Sequence, residues 1–392
     1  MSLEPCRNLQ SAAARYLEER QRELLVDTGI QPDWHERQDS EEVAAFLATA
    51  AGAMGWNESQ VRQVFEARFA QAMEERPSRY EDPWLFSLLS EMATEIESVA
   101  EGLGMTLPQR PVFGTLPLGQ LNAMAVRVPN TEEYLIAFQY GMFGFMNLAS
   151  KAFAAALPSV EDGDGISFNL DRERVLNHLA ANAEPVARMS DFLGAYIYAG
   201  DPHAAEQYFV TASIERLSGL LRGTAERFII GHEYGHLISG HLAPSTPRRE
   251  KEKPVTFEAP PRAWRHEIEA DFSGMVLAVH SQAQNGLDLA LSYAGVDFAF
   301  TAMELAERAL AVARHGDAAE RKVADTHPPT TTRRHAARLA LGALSPSEQA
   351  QESARGLGEA LETVGDLMWE QIEPEFRDRY RGGDRPSQIW GG

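Results

Sequence analysis

Phe228-Ile229-Ile230-Gly231-His232-Glu233-Tyr234-Gly235-His236-Leu237-Ile238 carries H-E-x-x-H inside a stretch patterned as a helix. At 3.6 residues per turn, His232 and His236 fall one turn apart on the same face. Two imidazoles at that spacing can share a divalent cation. Glu233 is displaced far enough round the helix to miss the ion yet reach a water bound to it, as a general base must. Zinc, one ion per chain, is the expected metal, because nitrogen donors with one carboxylate and an open position suit it.

A third ligand has to come from elsewhere. The continuation H-E-x-x-H-x-x-G-x-x-H requires glycine at position 239 and histidine at 242. Those positions hold Ser239 and Leu242, with Gly240 and His241 one residue out of register, so that pattern is rejected. A carboxylate on a second helix is the remaining route. In Trp264-Arg265-His266-Glu267-Ile268-Glu269-Ala270-Asp271-Phe272-Ser273-Gly274, Glu267 and Asp271 are four apart and share a face. Glu267 takes the ligand role, with Glu269 as its rival. Asp271 is expected to accept the Nδ1–H of a ligand histidine and hold its tautomer. The small residues Ala270, Ser273 and Gly274 let this helix press against the first. His241 and His266, which flank the motifs, are read as bystanders.

H-E-x-x-H followed by E-x-E-A-D resembles the gluzincin metallopeptidases, in particular the M48 group that includes the CAAX prenyl endopeptidases. Two further stretches are similar to that group. Asp325-Thr326-His327-Pro328-Pro329-Thr330-Thr331-Thr332-Arg333 matches its T-H-P-P-x-x-x-R segment. Leu121-Asn122-Ala123-Met124-Ala125, followed by Tyr134-Leu135-Ile136-Ala137-Phe138, matches its N-A-x-A strand and the apolar strand after it. The resemblance covers roughly residues 115–345, with gaps, and four motifs in order are far more specific than one. It implies a zinc endopeptidase acting on a protein or peptide. Asn122, Ala123, Met124 and Ala125 would form the edge where substrate lies. His327 would be the first candidate for oxyanion stabilisation, and Arg333 would brace the fold beside the site. Two other functions compete: a latent protease released by a regulatory partner, and a binding protein on a peptidase scaffold in which zinc is structural.

The chain departs from the group's pattern in two ways. It shows no defensible membrane span, and residues 150–225 form a long helical insert before the zinc helix. The most apolar window, Tyr134 to Leu157, is broken by Gln139, Asn147 and Lys151 and reads as a strand running into a buried helix.

Length and composition fit a folded protein. The 392 residues are 44% apolar and 24% charged. The formal charge of −21 repels nucleic acid and anionic membrane surfaces, so neither is an expected partner. The one cysteine, Cys6, cannot form an internal disulfide. No basic segment leads into an apolar run at the amino terminus, and a cytoplasmic location is expected.

The fold class expected is mainly α (α+β): a zincin-like helical core with a small two- or three-stranded sheet and extra helical regions. Residues 1–107 read as an acidic helical region, with helices over 8–27, 40–54, 57–76 and 82–103. Asn57 and Gln60 have the form of a capping box. Residues 108–345 read as the catalytic domain. Its strands are Val112–Leu116, Asn122–Val128 and Tyr134–Phe138, and helices follow over 145–157, 172–183, 187–199 and 203–222. A flexible proline-rich loop over 243–262 separates the two metal helices, and 287–314 and 331–343 are further helices. Glu161-Asp162-Gly163-Asp164-Gly165 lacks calcium-loop spacing and reads as an acidic turn. Residues 346–380 supply one or two last helices, and the tail from Gly382 is expected to be disordered. His178 and His203 have no partner at helical spacing and are read as surface or packing residues.

Overall fold

The computed structural model of the chain describes residues 11–28, 43–44, 47–48, 51, 57–162, 165–242, 264–319 and 328–390. The helix expected over 40–54 lies mostly outside these residues; the loop at 243–262 and His327 lie wholly outside them. The fold is mainly helical with a small mixed three-stranded sheet. Packing divides the chain at other places than residue 107. One compact unit comprises Met1–Glu95, Leu107–Pro117 and Met124–Gln139; the other comprises Ile96–Thr106, Leu118–Ala123 and Tyr140–Gly392.

The first unit holds α1 (Ala12–Thr28), α2 (Glu58–Glu75), the first part of α3 (Pro83–Gly102), β1 (Val112–Leu116), most of β2 (Ala123–Arg127) and β3 (Tyr134–Gln139). The capping box of α2 forms as the sequence predicts: Asn57 Oδ1 accepts from Gln60 N at 2.8 Å, and Gln60 Oε1 accepts from Asn57 N at 3.1 Å. The strand order is β1–β3–β2, with β1 parallel to β3. The central strand, β3, is the one whose run Leu135-Ile136-Ala137-Phe138 is buried throughout, as a strand covered on both faces has to be. A turn at Asn130, with φ of 59°, returns β2 to β3. Under β1, Glu81 is fully buried. It accepts from Thr115 N at 2.9 Å, Thr115 Oγ1 at 2.6 Å and Gln21 Nε2 at 2.7 Å. Burial outweighs these hydrogen bonds and pushes its carboxyl up to about 8.

The second unit is helical. Its elements are α4 (Tyr140–Ala156), a hairpin of β4 (Ser159–Asp162) and β5 (Gly165–Phe168), α5 (Arg172–Ala181) and α6 (Glu184–Gly194). Then come α7 (Ala212–Ile238), α8 (Trp264–Gln284), α9 (Leu289–His315), α10 (Thr330–Leu339) and α11 (Glu348–Arg381). Helix α9 is apolar on nearly every side because it is the central helix. It is long and apolar enough to cross a membrane by length and composition, yet 78% of that apolar window is buried inside the fold. Phe153 meets Phe298 edge-on at 5.2 Å and Phe228 meets Phe300 at 5.0 Å, tying α4 and α7 to α9.

Several boundaries differ from the sequence expectation. Glu161 and Asp162 of the expected acidic turn belong to β4 and Gly165 to β5, which pair antiparallel. Helix α4 begins at Tyr140, so Gly141 and Gly144 lie within it. The segment 203–222 is not a helix of its own. After one 3₁₀ turn at Pro202–Ala204 the chain leaves helical geometry, Lys151 Nζ donating to Tyr208 O at 2.9 Å. From Ala212 onward it belongs to the same helix as the H-E-x-x-H motif. The described residues of the tail make specific contacts with the rest of the second unit. Ser387 N and Trp390 Nε1 donate to Ile197 O at 2.9 and 3.0 Å, and the indole packs on Tyr196 at 4.6 Å. An apolar tryptophan with a satisfied N–H gives this short segment the anchor that its glycine-rich start does not suggest.

Candidate metal centre

Helices α7 and α8 are joined at very close range, and glycine makes that possible. A Cβ added at Gly274 would lie 2.7 Å from His232 N and 2.8 Å from Phe228 O. At Gly235 it would lie 2.9 Å from Ser273 Cβ and 3.0 Å from Ala270 Cα. The small residues of α8 therefore do what the sequence predicts of them. They bring Glu267, in the first turn of α8, against the two histidines of α7.

His232, His236 and Glu267 converge and are buried, His236 and Glu267 completely. His232 Nε2 and His236 Nε2 are 3.1 Å apart. Glu267 Oε2 lies 3.6 Å from the first and Glu267 Oε1 lies 3.7 Å from the second. Donors about 2.0–2.1 Å from a shared tetrahedral ion would be separated by about 3.3 Å, so this triangle has the right size for a metal ion.

The hydrogen bonds behind the imidazoles decide which nitrogens face the centre. Asp271 Oδ1 is 2.9 Å from His232 Nδ1, so of the two histidines it is His232 that Asp271 contacts. Asp271 also receives Arg333 twice, Nε to Oδ2 at 2.8 Å and Nη2 to Oδ1 at 2.6 Å. Burial alone would raise the Asp271 carboxyl, but the Arg333 charge and the hydrogen bonds from Arg333 and His232 overcome it and hold the group well below the usual carboxylate range. An ionised Asp271 puts the His232 proton on Nδ1 and leaves a lone pair on Nε2. On the other side, His241 Nε2 is 3.0 Å from Glu269 Oε2, and His241 Nδ1 is 2.9 Å from His236 Nδ1. The hydrogen bond from His241 is the chief cause holding the Glu269 carboxyl down. His241 therefore donates through Nε2 and accepts through Nδ1, His236 carries its proton on Nδ1, and its Nε2 also presents a lone pair. Two Nε2 atoms at 3.1 Å need a proton or a metal ion between them, and with the Glu267 carboxylate beside both the donor set fits a metal ion.

The structure brings His232, His236, Glu267, Asp271 and Arg333 together. Sequence analysis reads His241 and His266 as bystanders and weighs Glu269 only as the rival of Glu267, whereas the structure brings these three side chains together. Glu269 Oε2 lies 3.0 Å from His241 Nε2, and His266 stacks on the His241 ring at 4.1 Å with an interplanar angle of 11°. The signal was present in Gly240-His241. Gly240 takes a positive φ of 68°, Gly240 N donates to Leu237 O at 3.1 Å, and His241 N donates to His236 O at 3.0 Å. That helix-ending turn folds the residue after the glycine back under the helix, here beneath His236.

Arg333 is aimed by its own helix. Arg338 and Arg334, on α10, pair with Asp297 at 2.7 Å and Glu304 at 2.8 Å on α9, leaving Arg333 to reach α8. In front of the centre lies a cavity of ≈ 320 Å³. Its polar side includes His232, Glu233, Glu307 and Arg333; Met142, Tyr196, Phe228, Met303 and Leu310 make much of its apolar wall. Glu233 is buried at 4% exposure, with Oε1 4.0 Å from His232 Nε2, and Oε2 has no hydrogen-bond partner among the described residues. Asn122 and Ala123 line the cavity, whereas Met124 and Ala125 belong to β2 of the first unit and are buried there. Tyr196, which the sequence did not single out, is placed by a π-helical turn over Ala195–Ala199 that continues α6, and its hydroxyl accepts from Leu121 N at 3.2 Å.

Comparison with protein-family models, with curated proteins and with solved structures finds no match to this chain.

Proposed function

We propose that this protein is a zinc-dependent endopeptidase of the gluzincin type, similar to the M48 group, with His232, His236 and Glu267 as the zinc ligands. The observation that carries this reading is the lone-pair geometry: two Nε2 atoms and one carboxylate, all buried, face one point at separations that suit a tetrahedral ion. Zinc suits two imidazoles and one carboxylate, a set that leaves a fourth position open. Bound there, zinc supplies Lewis acidity, which makes a water nucleophilic near neutral pH and polarises the carbonyl of a peptide bond.

The remaining work falls to the chain. Glu233, on the cavity side and with Oε2 uncommitted, takes a proton from the attacking water and returns it to the leaving amine. Asp271 and Arg333 hold the His232 ring in the tautomer that keeps Nε2 free. The apolar wall keeps bulk water from the reacting groups and gives a substrate side chain a surface to bury.

The test is metal analysis of the purified full chain together with a search for new amino termini in a proteome exposed to wild type or to Glu233→Gln. One zinc per chain in both proteins, with new termini generated by wild type alone, is the expected result. A chain that retains no zinc, or identical termini from both proteins, overturns the assignment.

A further inference from the structure

We propose that His241 is a positioning residue of the metal centre: it fixes the tautomer and the ring orientation of His236 and is itself fixed by Glu269 and His266. The inference rests on the metal reading of His232, His236 and Glu267, and it adds a second support, independent of Asp271 and Arg333, for the other imidazole.

The two histidines are joined twice. Through the backbone, His241 N donates to His236 O at 3.0 Å, and through the side chains the two Nδ1 atoms stand 2.9 Å apart. The His241 side chain is only 4% exposed, Glu269 holds its Nε2 at 3.0 Å, and His266 covers one ring face. A ring so enclosed has one orientation, and with Nε2–H given to Glu269 it has one tautomer. That tautomer accepts at Nδ1, so His236 keeps its proton on Nδ1 and its lone pair on the metal side. His241 is not a fourth ligand: it meets His236 at Nδ1, the ring nitrogen that does not face Glu267. Partners of this kind alter metal affinity by about 10–100-fold when removed.

The experiment measures zinc affinity of the full chain by competition with a chromophoric chelator, and the visible spectrum of the Co²⁺-loaded protein, for wild type, His241→Ala, His241→Asn and Glu269→Gln. His241→Ala is expected to bind one zinc with affinity lowered about 10–100-fold and to show an altered cobalt spectrum, while the melting temperature of the metal-free protein stays close to wild type. An asparagine amide oxygen can occupy the place of Nδ1, so His241→Asn recovers most of the loss. Glu269 is half-exposed, so Glu269→Gln lowers affinity less than His241→Ala does. Affinity within twofold of wild type and an unchanged cobalt spectrum in His241→Ala overturn the proposal. Should that variant not fold, the same two readouts on His241→Asn and Glu269→Gln decide it: wild-type behaviour in Glu269→Gln together with a full loss in His241→Asn overturns it. A wild-type chain that binds no stoichiometric metal overturns the metal reading itself, and that outcome is distinct from a metal-binding chain indifferent to position 241.

Discussion

Replacing Gly274 by alanine tests the geometry on which the proposed metal centre depends. The added Cβ would stand 2.7 Å from His232 N, 2.8 Å from Phe228 O and 3.0 Å from His232 Cα, all backbone atoms of α7. Ordinary van der Waals contact begins near 3.4 Å, and no side-chain rotation can relieve a clash with backbone, so the helices must part by several tenths of an ångström. Overpacking of this kind costs about 1–3 kcal/mol. The same movement carries Glu267 away from the imidazoles, where separations of 3.6 and 3.7 Å leave little to spare against ligand distances held to about ±0.2 Å. Gly274→Ala is therefore expected to lower thermal stability and to weaken zinc binding at least tenfold, read by melting and by chelator competition. Gly356→Ala is the control. Nothing stands within 4 Å of a Cβ there, and in the interior of α11 the change should stabilise by about 0.5–1 kcal/mol without touching metal affinity. If Gly274→Ala melts and binds zinc as wild type does, close approach of α7 and α8 is not what assembles the site.

Two further perturbations probe the charges under the fold. Arg333→Met leaves Asp271, 2% exposed, with His232 Nδ1–H in place of three donors, and should destabilise by about 3–5 kcal/mol in denaturant unfolding. Combined with Asp271→Asn the loss should be smaller than the sum of the single changes, and strict additivity would show that the pair is not coupled. Glu81 gives a pH dependence of definite sign. Its folded-state carboxyl is raised from 4.5 to about 8, so its contribution to stability is fully present below about pH 4.5 and is lost as pH rises through 8. Glu81→Gln removes that loss, and its unfolding free energy should fall less between pH 5 and 9 than that of wild type. Parallel pH profiles would refute this account of Glu81.

The sequence by itself determined whatever depends on short-range periodicity. His232 and His236 at i and i+4, Glu267 and Asp271 at the same spacing, the run Leu135 to Phe138 of the central strand and the Asn57 capping box each follow from local backbone geometry. That geometry is fixed once the element type is known. Even the close approach of α7 and α8 was legible, because small residues on one helix face have few other uses. Asp271 behind one imidazole was expected from its spacing, but tertiary structure alone decided that it stands behind His232 and that His241 and Glu269 stand behind His236. Glu269 and Asp271 are two residues apart on one helix. One serves His236 through His241 and the other serves His232, a division set by where α8 crosses α7 and not by any repeat in the chain. The same holds for Tyr196 in the cavity wall and for Trp390 anchoring a segment expected to be disordered. Their partners lie far away in sequence, and burial against such partners outweighs the local propensity on which a sequence reading rests.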